Sequence, residues 1–126
     1  MRWSFLLRFA SLFLLVAAVA AAGCMGTGKA DLSYDGHENG THQQTAPCSA
    51  DGTVRGSGKI DTGQVDITVV DGSSNQIFSH TYTGSFDNVA ESFHGASGTW
   101  SITATRSGSG VVGSPFSGHY AFTLSC

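Results

Sequence analysis

The chain has 126 residues, with six Lys and Arg against nine Asp and Glu, a net charge of −3, and 17 glycines. That length suits one domain at most. Behind residue 23 the cations are Lys29, Arg55, Lys59 and Arg106 against nine carboxylates, a net of −5. With no basic cluster, the balance argues against nucleic acid, which is bound through phosphate neutralisation, and against electrostatic adhesion to anionic lipid.

Arg2 and Arg8 precede an apolar stretch from Phe9 to Gly23 that only Ser11 interrupts, and no acid occurs before Asp31. A positive segment followed by an apolar run of about 15 residues is the layout of a secretory signal. It is short for a spanning helix, which needs about 20 apolar residues. Residues 1–23 therefore read as a signal helix. Ala20-Ala21-Ala22 offers an ordinary signal peptidase site.

Ala21-Ala22-Gly23-Cys24 resembles the lipobox of bacterial and archaeal lipoproteins, with Ala21 at the place usually held by Leu. The resemblance implies that Cys24 is lipidated and that the chain is exported and anchored to the cell membrane, facing outside the cytoplasm. Cysteine parity agrees. Cys24, Cys48 and Cys126 are an odd set in an oxidising compartment. A lipid on Cys24 leaves Cys48 and Cys126 to pair as a disulfide. Cleavage after Ala22, or retention of the signal as an anchor, remain the alternatives.

Residues 24–47 carry few apolar side chains and no sustained period. Such composition buries too little surface to offset its ordering entropy, so the segment is expected to be a lipidated, flexible tether. A domain is expected over 48–126. There Val65, Ile67 and Val69 alternate with polar residues, the turn-forming residues 71–75 follow, and Phe78, His80 and Tyr82 share a face. Trp100, Ile102 and Ala104 form the next alternating set, and Tyr120, Phe122, Leu124 and Cys126 the last. Alternation rich in β-branched and aromatic residues marks half-buried strands. Two weaker strands are expected at 53–60 and 85–94, with glycines supplying the turns. The fold class is all-β: a small antiparallel β-sandwich, with an up-and-down β-barrel as the alternative. Trp100 is expected in the core. The strand that opens with Gly98-Thr99-Trp100, followed by the one that opens with Gly118-His119-Tyr120, resembles the close of many small exported β-sandwich domains. The whole chain is similar to small surface lipoproteins of bacteria or archaea.

Catalytic signatures are absent: there is no Gly-x-Ser-x-Gly, no His-Glu-x-x-His and no phosphate-binding glycine loop opening a helix. Ser107-Gly108-Ser109-Gly110 reads as a turn. His37 and His42, beside Asp35 and Glu38, are the weak metal candidates, since His ligates zinc and copper. Their surroundings miss both helical spacing and the calcium-loop pattern, where Ala46 stands in place of the bidentate Glu. His80 reads as a core or edge residue, His94 as a turn residue and His119 as outward-facing. Asn39-Gly40-Thr41 is an N-glycosylation sequon. The expectation is a non-catalytic module without cofactor, held to the membrane by its N-terminal lipid and serving either to bind a protein or glycan or as part of the envelope structure. The alternative is copper or zinc capture by the His-containing tether, and an enzyme is a distant third.

Overall fold

The alternating run around Val65 belongs to a strand far longer than eight residues. A computed structural model describes residues 28–126; the expected signal segment 1–23 and the expected lipidation site Cys24 lie outside the described residues. Six antiparallel strands follow in order: β1 (Lys29–Gly36), β2 (Gly40–Cys48), β3 (Asp51–Val70), β4 (Gln76–His94), β5 (Gly98–Ser107) and β6 (Ser117–Ser125). The expected weak strands at 53–60 and 85–94 are the first half of β3 and the second half of β4.

β3 organises the rest. Thr53–Thr62 pair with β6, and Gln64–Val70 pair with β5. On its other edge β3 pairs with β4 from Asp51↔His94 to Val70↔Gln76. The inward residues are Val54 and Ile60 in the first half, and Val65, Ile67 and Val69 in the second. The phase of alternation thus reverses, and it does so where the ladder shifts register between Ile60 and Val65. Gly63 sits there with φ +87°, a conformation that costs glycine little and other residues much. A Cβ at this position would also collide with the Ser107 carbonyl. Gly84, with φ +61°, marks the matching bend in β4.

Two four-stranded layers result: β1, β6, the first half of β3 and the second half of β4 face β2, β5, the second half of β3 and the first half of β4. The hydrogen-bonded order is β1-β6-β3-β5-β2, with β4 joined to β3. Because strands pass from one layer to the other through bends, the sheet is one wrapped surface, nearly a barrel. Both expected architectures describe part of it.

The tether reading is corrected by β1 and β2. Lys29–Gly36 pairs with β6, and Gly40–Cys48 with β5, so the folded unit includes the described residues from 28, not from 48. The composition argument overlooked how little an edge strand must bury. β1 buries only Ala30 and Leu32, and β2 only Ala46 and Cys48; the ladders satisfy the backbone of the rest.

Between the layers, Leu32, Val54, Val65, Ile67, Val69, Trp100, Ile102, Phe116, Phe122 and Leu124 are each at most 1% exposed. Trp100 lies below Gly52, where a Cβ would stand 2.6 Å from the indole. Its Nε1 donates to the Ala96 carbonyl at 2.7 Å, so the ring is buried with its polar atom satisfied. Cys48 and Cys126 are joined as a disulfide with Cα atoms 5.4 Å apart, 78 residues apart in sequence. Closing so long a loop in the unfolded chain corresponds to about 4 to 5 kcal/mol on the chain-entropy model.

At the same end, the Asp71 carboxylate holds two loops together. Oδ1 accepts from Ser73 N and Asn75 N at 2.9 and 3.0 Å, and Oδ2 accepts from Ala96 N at 2.9 Å. These backbone donors, Ala96 first and then Asn75, hold the Asp71 pKa below its ordinary value, against the opposing effect of burial.

Two outcomes follow from this packing. Trp100→Ala removes the largest core side chain, packed against Gly52, which cannot fill the space, and should cost about 3 to 5 kcal/mol in urea denaturation; an unchanged midpoint would place Trp100 outside the core. Asp71 binds its proton more weakly folded than unfolded, so its stabilisation is present above the unfolded pKa of about 3.9 and lost as pH falls through the lower folded value. Thermal midpoints measured from pH 7 to pH 2 should therefore fall on the acid side. Asp71→Asn should lower the neutral midpoint and flatten that acid limb.

Candidate functional site

The strands run between two unlike ends. At one end Gly28 O accepts from Cys126 N at 3.0 Å, and Cys48 pairs with Gly98. The disulfide, the Asp71 turn and the first described residue therefore share this end. At the other end Gly36 pairs with Gly118 and Gly40 with Arg106, so the β1–β2 turn meets the β5–β6 loop.

Arg106 fixes that meeting. Its Nε donates to the Glu38 carbonyl and its Nη1 to the Tyr120 hydroxyl, both at 3.1 Å. Its guanidinium carbon lies 3.6 Å above the centre of the Tyr34 ring, a cation–π stack. Gly40 leaves the room: a Cβ there would stand 2.6 Å from Nη2. The Tyr34 hydroxyl accepts from Glu38 N at 3.1 Å. Asn39 Oδ1 accepts from Phe116 N at 2.9 Å, and His37 Nδ1 lies 2.8 Å from Ser117 Oγ. Phe116, fully buried against Tyr34 and Tyr120, roots the loop in the core.

Above this base the loop forms a small bulb. Ser109 N donates to Ser114 O and Ser114 N to Val111 O, and Gly110 and Gly113 both have φ near +83°. Val111 and Val112 stand at its tip, 67% and 100% exposed, the large apolar side chains that the described residues leave in water. No residue from Ser107 to Ser117 is charged. An apolar tip on a side-chain-braced base is equipped for non-covalent contact.

The sequence candidates scatter around this end. His37 is in the β1–β2 turn, whereas His42 is on β2, opposite Ala104, with its Nε2 3.1 Å from Gln44 Nε2. The two histidines thus engage different neighbours. Among the described residues no group of three or more His, Cys, Asp or Glu gathers as a metal site. Asn39, the sequon residue, is exposed, with its side-chain oxygen engaged. His80 packs edge-on to Tyr82, ring centroids 4.6 Å apart, and His119 is exposed on β6.

His94 forms a pair that its expected place in a turn did not suggest. It closes β4 with Nδ1 2.8 Å from Asp51 Oδ1, the two side chains 75% and 87% exposed. Nearby Ser92 Oγ is engaged with Thr53 Oγ1 at 3.1 Å. An Asp–His pair beside a serine is part of a nucleophilic triad, but this serine bonds a threonine and both side chains of the pair are in water, where such pairs contribute little.

No family model matches the chain, and no curated protein matches it.

Arg106 and the Val111-Val112 tip were not among the sequence candidates. The only signal for Arg106 was a lone cation following an apolar strand; for the valines it was an apolar pair inside a glycine-rich turn. Their roles separate on substitution. Arg106→Ala should cost on the order of 2 kcal/mol by stranding the Tyr120 and Glu38 contacts, and should speed amide exchange across Gly108–Ser114. Val112→Asp should leave the denaturation midpoint within about 0.5 kcal/mol. A larger loss for Val112→Asp would mean that the tip is packed.

Proposed function

We propose that the chain is an exported lipoprotein, anchored through lipid on Cys24, that presents its β-domain as a non-catalytic binding module for a protein or glycan of the cell envelope. The observation that carries this reading is the position of Gly28. It lies at the disulfide end, and three residues separate it from Cys24. At most about 14 Å of chain then joins a lipidated Cys24 to the domain. That leash holds the disulfide end against the bilayer. β1 rises about 26 Å from there at the usual strand advance, which carries the Val111-Val112 bulb outward.

The cysteines support the same reading. Cys48 and Cys126 bond to each other, so Cys24 is the thiol left for modification. The outward end carries an apolar tip, hydroxyls and the Asn39 side chain, with a braced backbone beneath. This composition suits recognition through a preformed loop surface.

The test is partition of the expressed chain between detergent and aqueous phases. The wild type should enter the detergent phase and Cys24→Ala the aqueous phase, with mass spectrometry finding acyl chains on a mature N-terminus at Cys24. An unchanged distribution, or a mature chain beginning at Gly23, would sink the lipoprotein reading.

A further inference from the structure

Backbone groups along the outer edge of a sheet invite another strand, and proteins guard such edges with charge, proline, bulges or cover. β1 pairs only with β6 and carries Lys29, Asp31 and Asp35. β2 pairs only with β5, ends in Pro47-Cys48 and contacts β1. Among the described residues β4, 19 residues long, pairs only with β3. Its second half is guarded by Asp87, Glu91 and the positive φ of Asn88.

The first half of β4 is different. Gln76–Thr83 reads Gln-Ile-Phe-Ser-His-Thr-Tyr-Thr, with no Lys, Arg, Asp, Glu or Pro. Ile, Phe, Thr and Tyr are strand-favouring residues, and low charge without proline marks a segment prone to strand pairing. The nearest charge on the neighbouring strand is Asp66, and its carboxylate is engaged by the Thr81 hydroxyl. Phe78 and Tyr82 are anchored inward, Phe78 on Phe93 with centroids 5.5 Å apart and Tyr82 on Phe122 at 5.2 Å. The strand is therefore anchored through its inward face, while no strand among the described residues pairs with its outer edge.

We propose that the Gln76–Thr83 edge pairs antiparallel with the same edge of a second copy, joining two layers into one continuous sheet across a two-fold axis. The charge pattern permits self-pairing along the first half of β4 and opposes it along the second. An antiparallel self-pair of the first half of β4 opposes no like charges, whereas self-pairing of the second half brings Asp87 and Glu91 of the two copies together, a destabilising arrangement. The two edges are identical and satisfy each other's backbone groups reciprocally, as a two-fold interface requires. This inference is independent of the lipid anchor.

The experiment uses the full chain in detergent micelles, with Cys24→Ala run in parallel so that loss of anchoring is read separately. Sedimentation at rising protein concentration should show a monomer–dimer equilibrium in both. Amide exchange should become slower with concentration in Gln76–Thr83 and not in Ser85–His94. Ser79 and Ala90 are both exposed. Ser79→Lys places a charge on the bare edge and should raise the dimer dissociation constant at least tenfold with an unchanged thermal midpoint. Ala90→Lys, on the guarded half, should leave it unchanged. A chain that stays monomeric, or a dimer indifferent to Ser79→Lys, would overturn the proposal. So would a monomer whose Gln76–Thr83 amides are protected only by an added extended peptide, which would assign the edge to a foreign strand.

Discussion

Between Ile60 and Val65, β3 exchanges β6 for β5 and its inward-facing set passes from even to odd residues. A strand has period two, so a regular β3 of twenty residues would send either Val54 and Ile60 or Val65, Ile67 and Val69 into water. The irregularity at Asp61–Gln64 prevents this. The same bend places the two halves of β3 in facing layers, and β4 must follow because it is paired along the whole length. Phe78 and Phe93, fifteen residues apart on β4, come within 5.5 Å for that reason. Had Gly63 a side chain, its Cβ would clash with Ser107 on β5, so the bend and the β3–β5 ladder depend on the same glycine.

The bend also distinguishes the two ends of the domain. Every strand at the Gly63 end continues into a turn, a loop or its own bend, and the Arg106–Tyr34–Tyr120 cluster braces these connections from within. The opposite end is tied covalently by Cys48–Cys126 and electrostatically by Asp71, whose three backbone donors belong to two loops. A domain of this size buries a limited surface, and 17 glycines in the chain raise the entropy lost on folding. A disulfide and a hydrogen-bonded carboxylate at one end and a stacked guanidinium at the other compensate for this.

The sequence made the strongly alternating strands readable, together with the burial of Trp100 and the Cys48–Cys126 pair. These features follow from local period and from parity, which need no knowledge of neighbours. The union of 53–60 with 64–70 into one strand was hidden, because the phase reversal at Gly63 looks in sequence like the end of one strand and the start of another. β1 was hidden for a different reason. Ala30, Leu32 and Tyr34 do alternate, but Asp, Ser and Gly around them dilute the signal, and the strand is held by its ladder to β6 more than by burial. The braced loop was invisible because Arg106 meets Glu38, Tyr34 and Tyr120 from three separate parts of the chain.

Glycine usage links these cases. Gly40, Gly52 and Gly63 each stand where a Cβ would meet, respectively, Arg106, Trp100 and the Ser107 backbone. All three lie within strands, Gly40 as the first residue of β2 and the other two in β3. Their common function is to let a large group or a neighbouring strand approach the backbone. The indole, the guanidinium and the bend are the three features that give this small domain its core, its braced loop end and its two layers. An exposed loop tip such as Val111-Val112 can then be fully in water without cost to the fold, because the backbone beneath it is fixed by Phe116 and Asn39 rather than by the valines themselves.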